Sequence, residues 1–239
     1  MDYVEFNRFK SELKKDVPEL KIRYKDMSLF MKILGKILFF NKLFMTKFVT
    51  TIGATVYYPS QKYILDDPVR AAMILSHEYM HARDARKSGT FKNVVGYLFP
   101  QLLALLTLTT IPLCFMYGSW GLFGLLFLLF LAPLPAYWRM KFEVRGYTMS
   151  LFAEYHYALS VGISKMSVLP FLFQMADTID AKNFKGPAYW FMWPYGVKKQ
   201  LHDAIEQIDT GDILEVDDAF INVRDALTKI CQSKNEIIL

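Results

Sequence analysis

The longest hydrophobic pattern in this 239-residue chain is a stretch without a single charged residue, from residue 93 to residue 138. A membrane-spanning helix needs about 20 apolar residues, so this stretch is too long for one span and long enough for two. We predict spans over residues 94–116 and 122–138, separated by a break at residues 117–121. The alternative is a buried helical hairpin of a soluble core, which usually carries a polar stripe that this stretch lacks.

Basic residues flank the uncharged stretch on both sides and are missing from the break. The positive-inside rule then places both flanks in the cytoplasm and the break outside, which predicts a multi-pass integral membrane protein. The charged N-terminal sequence predicts no signal peptide. The flanking residues are Arg83, Arg86, Lys87 and Lys92 on one side, and Arg139, Lys141 and Arg145 on the other.

The N-terminal region contains two segments of helical character. Residues 3–25 predict a soluble helix with a break at Val17-Pro18, because a residue before proline avoids the α conformation. Residues 27–47 are apolar but punctuated by lysines. They fit a basic amphipathic helix on the membrane surface, and they fit a core helix of the soluble part equally well.

A change of pattern follows. Residues 48–58 are rich in β-branched and aromatic residues and predict a strand or a hairpin, with Gly53 at a turn or bulge. Residues 66–89 predict a helix, because Asp66 or Asp67 can cap its start, Pro68 fits the first turn, and Ser88-Gly89 can end it.

The part of the chain after the uncharged stretch is predicted to be helical. Residues 141–161, 197–208 and 215–232 have helical character, and residues 186–196 suggest an aromatic interfacial loop. Together these patterns predict a mainly α-helical membrane protein with a short β-hairpin or strand. We divide it into four regions, at residues 1–47, 48–92, 93–138 and 139–239.

Composition excludes several classes of protein. Hydrophobic residues make up 53% of the chain, which excludes an intrinsically disordered protein, and two cysteines cannot form a disulfide scaffold. The net charge of +5 is too small to indicate a nucleic-acid-binding protein, and basic residues beside apolar segments suit an anionic lipid bilayer better.

The candidate chemistry lies in the helix predicted over residues 66–89, which contains His77-Glu78-Tyr79-Met80-His81. Two histidines four residues apart on a helix share one face, so both imidazoles can bind one zinc ion. Glu78 would then lie beside the metal and act as general base and acid in the hydrolysis of a peptide bond. Half of the four histidines of the chain lie in this motif.

A catalytic zinc needs a third protein ligand and one open position. Asp84 lies on the same helical face as the histidines, but three ligands on one straight helix cannot easily surround a metal ion. Glu143 comes from a second helix, so we favour it as the ligand. Asp84 then becomes an acceptor that orients a ligand histidine.

Three further residues are candidates to stabilise the oxyanion that forms when a peptide carbonyl is attacked. Tyr147 is four residues after Glu143, faces the same way and could donate its hydroxyl proton. Arg145 and His156 are weaker candidates, because a lipid headgroup contact or a structural role explains each of them more simply.

A strand, an HExxH helix, two spans and a helix that carries a glutamate resemble the membrane-embedded gluzincin metallopeptidases, which include the CAAX-prenyl protease and the bacterial heat-shock membrane protease. The resemblance covers roughly residues 48–160 and matches His77, Glu78, His81 and Glu143. It implies a zincin-like catalytic core, zinc held by His, His and Glu, and cleavage near the cytoplasmic face of the membrane.

The chain departs from this family after the spans. The family usually has ExxxD there, whose aspartate supports a ligand histidine, whereas Glu143 is followed at that spacing by Tyr147. Either Asp84 takes the supporting role, or the similarity is convergent. The sequences around the two motifs also look like those of uncharacterised metallopeptidases of bacteria and phages.

The leading hypothesis is a zinc-dependent endopeptidase that acts on a protein or peptide substrate at the membrane. One alternative is a non-catalytic membrane scaffold or pore-type protein with a structural zinc site. A second is a peripheral lipid-binding protein in which the HExxH motif is accidental. An extended substrate could pair with an edge strand within residues 50–57, although that strand could equally serve only to cover the helix.

Overall fold

The computed structural model describes residues 1–39, 41–132, 134–185 and 192–237 of the chain. These residues are mostly helical and include one small three-stranded sheet, which confirms the coarse fold class. Most of the interfacial loop predicted at residues 186–196 lies outside the described residues. The strands are β1 (Lys21–Tyr24), β2 (Thr50–Ile52) and β3 (Thr55–Tyr58); the α-helices are α1 (Tyr3–Asp16), α2 (Leu29–Ile37), α3 (Gln61–Asp66), α4 (Pro68–Ser88), α5 (Thr90–Leu98), α6 (Thr110–Tyr117), α7 (Tyr137–Ser160), α8 (Lys165–Ile179), α9 (Val197–Thr210), α10 (Ile213–Val216) and α11 (Asp218–Ile237).

The predicted N-terminal helix is correct only in its first half. α1 ends at Asp16, directly before Val17-Pro18, and the chain then forms β1 instead of a second helical segment. β1 pairs in parallel with β3, with Lys21 opposite Thr55. The prediction of helix to residue 25 was wrong because this pairing joins segments more than 30 residues apart, which local periodicity does not report.

The hairpin predicted at residues 48–58 is confirmed. β2 and β3 are antiparallel, and Gly53 has a φ of +59° at the turn between them, a conformation that glycine adopts without steric cost. The strand order is β1-β3-β2, so β2 is an edge strand and β3 is central. β3 contacts α4, and the hydroxyl of Tyr58 donates a hydrogen bond to the backbone carbonyl of Ala71 at 2.8 Å.

α4 begins and ends as its sequence predicts. Of the two candidate caps, Asp67 is the one used: its Oδ1 accepts a hydrogen bond from the backbone N–H of Arg70 at 2.9 Å, and Pro68 occupies the first turn. Gly89 ends the helix with a φ of +86°. Almost every residue from Ala71 to Ala85 is buried, so α4 is a central helix of the fold.

The uncharged stretch forms one candidate membrane span among the described residues, Gln101–Phe130. Within it the chain runs through a 3₁₀ segment (Gln101–Thr109) and α6, and then through a second 3₁₀ segment (Gly118–Leu131). Gly121 packs on the backbone of Cys114 and Gly124 packs on Thr110, so the second segment runs antiparallel to α6. We call Gln101–Leu131 the apolar segment.

The boundaries of the two predicted spans do not match these elements. The first predicted span starts inside α5, at residue 94, and the second includes Tyr137 and Trp138, which belong to the first turn of α7. α7 carries its own buried face from Met140 onward, and this packing determines where that helix begins.

The hydrophobic core lies around the pair α4 and α7. α1 and α11 pack on each other and cover one side of the pair, and α8 and α9 cover the far half of α7. The two predicted C-terminal helices correspond to α9 and α11, and each buries one apolar face in this core. The first and last helices, α1 and α11, therefore both pack against the helix pair that carries the candidate site.

Candidate metal centre

The two histidines of the HExxH motif lie on the buried face of α4 that contacts α7. Their Nε2 atoms are 3.1 Å apart, and the two rings meet edge to face with centroids 4.8 Å apart. This juxtaposition follows from the four-residue spacing, which brings side chains one helical turn apart to the same place on the surface.

Glu143 reaches the same point from α7. Its Oε2 lies 3.3 Å from His77 Nε2, and its Oε1 lies 3.8 Å from His81 Nε2. Among the described residues these three form a group whose donor atoms all lie within 4.8 Å of one another. The structure therefore brings together the three side chains that the sequence predicts as metal ligands.

The separations between these donor atoms suit one small metal ion. Donors placed about 2.0–2.1 Å from a tetrahedral zinc ion lie about 3.3–3.4 Å from each other. The distances of 3.1, 3.3 and 3.8 Å scatter around that value. Imidazole and carboxylate groups are also ligands that zinc prefers. The donor set therefore fits zinc in both chemistry and spacing.

Close approach of the two helices depends on Gly146. A Cβ atom added at this position would lie 2.6 Å from Cε1 and 2.7 Å from Nε2 of His77. Carbon atoms in van der Waals contact need about 3.5–4.0 Å, so a larger residue would push the ring away. Gly146 thus lets α7 present Glu143 to the histidines.

Tyr97, on α5, orients the carboxylate of Glu143. Its hydroxyl donates a hydrogen bond to Glu143 Oε1 at 2.7 Å. Arg139 fixes this region in turn, because its Nε donates to the backbone carbonyl of Tyr97 at 2.8 Å. Tyr97 was not identified from the sequence. The one feature that could have pointed to it is a hydroxyl group inside the first predicted membrane span.

The charges of the three clustered groups depend on one another. Burial raises the pKa of Glu143, but the hydrogen bond with His77 and the nearby imidazoles outweigh it and bring that pKa down to about 2. Burial lowers the pKa of both histidines. Glu143 reverses this for His77, whose pKa is raised, but not for His81, whose pKa stays lowered. Without a metal, the carboxylate is therefore ionised and favours a proton on His77.

Glu78 is buried, with 8% of its surface exposed. Among the described residues it makes no hydrogen bond or ion pair, in contrast to Glu143. It directly follows His77 on α4, and the ammonium of Lys25 acts on it electrostatically. A carboxylate that is hydrogen-bonded to no other group in the described part of the chain is suited to exchanging protons with a substrate or water.

Tyr147 lies against the cluster from α7. Its ring meets the His77 ring edge to face with centroids 4.7 Å apart. The hydroxyl accepts a hydrogen bond from Asn183 Nδ2 at 2.6 Å. Asn183 lies in a short π-helix (Asp180–Phe184) after α8, and no pattern in the sequence pointed to it. The asparagine thus holds the hydroxyl of a tyrosine whose ring packs against His77.

Asp84 lies outside the donor group. One of its carboxylate oxygens pairs with Arg145 at 2.9 Å, and the other is buried without a hydrogen-bond partner among the described residues. Arg145 also contacts Asp217, the residue directly before α11, at 3.1 Å. Asp217 accepts a hydrogen bond from Arg83 as well. Asp84 and Arg145 thus belong to a charged network that joins α4, α7 and α11.

His156 lies farther along α7, nine residues beyond Tyr147 and therefore about 13 Å along the helix axis. It packs against the ring of Phe152 at 4.3 Å. Burial, assisted by the charge of Arg224, lowers its pKa to about 4. The structure does not bring His156 to the candidate site.

Comparison of the chain with protein-family models, with curated proteins and with solved structures finds no match.

Proposed function

We propose that this chain is a zinc-dependent membrane metalloendopeptidase of the gluzincin type with a zincin-like catalytic core. The observation that carries the proposal is the group formed by His77, His81 and Glu143. Three zinc-type donors on two helices lie at the spacing of one coordination sphere, with the glutamate of the HExxH motif directly beside them.

Each residue of the site has a role in peptide hydrolysis. His77, His81 and Glu143 would hold the zinc, which when bound acts as a Lewis acid that acidifies water and polarises the substrate carbonyl. Glu78 accepts the proton of the attacking water and delivers it to the leaving amine. Tyr147, positioned by Asn183, donates a hydrogen bond to the developing oxyanion.

The number of donors favours catalysis over a structural zinc site. A structural site usually has four protein ligands, whereas a catalytic site has three and an open position. The group on α4 and α7 contains three donors among the described residues. This difference weighs against the alternative of a non-catalytic scaffold or pore-type protein with a structural zinc.

The length of the apolar segment supports a two-helix membrane hairpin. Residues 101–117 extend about 30 Å and the returning 3₁₀ segment about 28 Å, given about 2.0 Å per 3₁₀ residue and 1.5 Å per α-helical residue. Both lengths approach the roughly 30 Å of a bilayer's hydrocarbon core. The basic flanks then orient the protein as a multi-pass protein with its site facing the cytoplasm.

The edge strand β2 offers a place for an extended peptide substrate. It pairs with β3 on one side only among the described residues, and it packs on α4. A peptide strand added at this edge would be held by backbone hydrogen bonds near the helix that carries Glu78. Protein or peptide substrates fit this arrangement.

Substitution of Glu78 tests the proposal. We expect the full-length Glu78→Gln variant, purified in detergent, to keep its zinc and to lose about 10²- to 10⁴-fold of its hydrolysis of casein and of a fluorogenic peptide mixture. Glu154→Gln is the control, since Glu154 is a carboxylate on α7, the helix that packs against α4, and lies outside the donor group. Equal hydrolysis by wild type and Glu78→Gln would contradict the role of Glu78. A zinc-loaded wild type without hydrolysis would favour the scaffold.

A further inference from the structure

The outer face of α2 is apolar and exposed to solvent. Leu29, Phe30, Ile33 and Ile37 are each at least half exposed. At about 100° per residue they cover a sector roughly 100° wide on one side of the helix. Isolated exposed apolar residues are ordinary, but four on one face of a nine-residue helix form a patch that needs an explanation.

The opposite face of α2 is fastened to the body of the protein. Met31 is fully buried and packs in a small cluster with Phe44 and Tyr57, the latter on β3. Lys25, also fully buried, donates hydrogen bonds to the carbonyl of Phe44 at 2.7 Å and to Thr50 Oγ1 at 2.8 Å. The helix is therefore held in place while its outer face points away from the core.

The charged residues in and directly after α2, from residue 27 to residue 47, are all lysines. Lys32 and Lys36 border the apolar sector on one side of the helix, and Lys42 and Lys47 follow within the next turns; all four are exposed. No aspartate or glutamate occurs from residue 27 to residue 65. Lysines beside an exposed apolar face are typical of helices that lie in the headgroup region of an anionic membrane.

The position of the segment agrees with such a location. It leads into β2, and Gly53 at the tip of the β2–β3 hairpin lies beside Thr90, the first residue of α5: a Cβ atom at Gly53 would be 3.6 Å from Thr90 Oγ1. α5 leads directly into the apolar segment. The basic helix is therefore linked, through β2 and the hairpin turn, to the part of the protein from which the chain enters the proposed membrane hairpin.

From these observations we infer that the outer face of α2 lies in the plane of the bilayer surface and binds anionic lipid headgroups through Lys32, Lys36, Lys42 and Lys47. A second copy of the chain is a poorer occupant, because it would bring two sets of lysines together. The inference rests on the membrane location proposed above and is independent of the peptidase chemistry.

A fluorescent probe at residue 33 tests this contact. The full-length chain, with Cys114→Ala and Cys231→Ser, carries Ile33→Cys labelled with an environment-sensitive dye. Gln207→Cys is the matched control, since Gln207 is exposed on α9. Both proteins are reconstituted into vesicles of phosphatidylcholine, with or without phosphatidylglycerol. We expect a blue shift and quenching by lipid-borne quenchers at residue 33 only, and more strongly with phosphatidylglycerol.

Substitution of the lysines tests whether their charge contributes to the contact with the membrane surface. Lys32→Gln and Lys36→Gln should each lower the equilibrium constant for surface contact about fivefold in phosphatidylglycerol vesicles. A probe at residue 33 that remains accessible to aqueous iodide in every vesicle would overturn the inference. A blue shift that depends on protein density but not on lipid charge would overturn it in favour of a second copy.

An alkaline carbonate wash separates this inference from the membrane location itself. Protein that is released from the vesicles would contradict the proposed hairpin, and with it the inference. Protein that is retained while residue 33 stays in water would contradict the α2 contact alone. Retention together with the lipid-dependent blue shift would support both.

Discussion

The helix pair α4–α7 and the apolar segment are both rich in hydrophobic residues, yet they use them in opposite ways. In α4 and α7 most apolar side chains are buried, and Glu143 and Asp84 each pair with a group on the other helix. In the apolar segment most large side chains are exposed, among them Leu108, Phe115 and Leu126. Its two arms contact each other through small residues such as Gly121 and Gly124.

This contrast shows that hydrophobicity alone does not define a core. The helix pair removes its apolar surface from water by internal packing, which stabilises its position and brings three ligands together. The apolar segment keeps its surface outward and needs a solvent that is itself apolar, and close packing through glycine is typical of helix contacts inside membranes. The predictions below test this division, beginning with the largest expected effect.

A charge placed on the exposed face of the apolar segment should weaken membrane retention. Leu126 is 58% exposed. If that face contacts lipid, Leu126→Lys should cost about 2.5–3.5 kcal/mol of insertion free energy and reduce the fraction retained in membranes after a carbonate wash. Zinc binding by the protein that remains should be unchanged, because the site lies on other elements.

Val216 provides the matched control for that substitution. It is an equally exposed apolar residue, at the end of α10 and outside the apolar segment. Val216→Lys should change neither retention nor zinc binding. If the Leu126→Lys and Val216→Lys variants were retained in membranes to the same extent, the exposed face of the apolar segment would not be in contact with lipid.

Loss of the Tyr97 hydroxyl should weaken metal binding without removing it. Tyr97→Phe deletes the hydrogen bond to Glu143 Oε1, and loss of a group that orients a metal ligand typically costs about 10- to 100-fold in affinity. Competition with a chelator measures the zinc Kd. Tyr117→Phe, at the end of α6, is the control and should leave the Kd unchanged. A Kd unaltered in both variants would show that Tyr97 does not orient the ligand.

The smallest expected effect is a change in how the stability of the protein depends on pH, caused by His156 on α7. Because the pKa of His156 is about 4 in the folded protein against 6.5 in an unfolded chain, the unfolded state takes up the extra proton as pH falls from 6.5 towards 4. Stability is therefore lost in that window and not above it. The full shift corresponds to about 2 kcal/mol of stability between pH 7 and pH 5, and solvent screening of the partly exposed ring reduces it, so the free energy of unfolding of His156→Gln should fall by about 1 kcal/mol less than that of wild type.

Melting temperatures in detergent at several pH values measure this difference. The difference in melting temperature between wild type and His156→Gln should be constant above pH 7 and should change only below pH 7. Parallel curves over the whole range would mean that His156 titrates normally and that this end of α7 is more hydrated than its packing suggests.

Local patterns predicted the elements of the site better than its surroundings. The caps of α4, the hairpin turn at Gly53 and the paired histidines are set by neighbouring residues and were predicted correctly. Glu143 was favoured because ligands must surround a metal, and its helix does bring it to the histidines. β1, Tyr97 and Asn183 could not be predicted, because each acquires its role from a partner distant in sequence.

Zinc content tests the central claim most directly. Wild type, Glu143→Ala and Glu154→Ala are purified in parallel in detergent, equilibrated with zinc and dialysed against a weak chelator before metal analysis. The account predicts one zinc ion per chain in wild type and in Glu154→Ala, and a clear loss in Glu143→Ala. No stoichiometric zinc in wild type, or an undiminished content in Glu143→Ala, would contradict it.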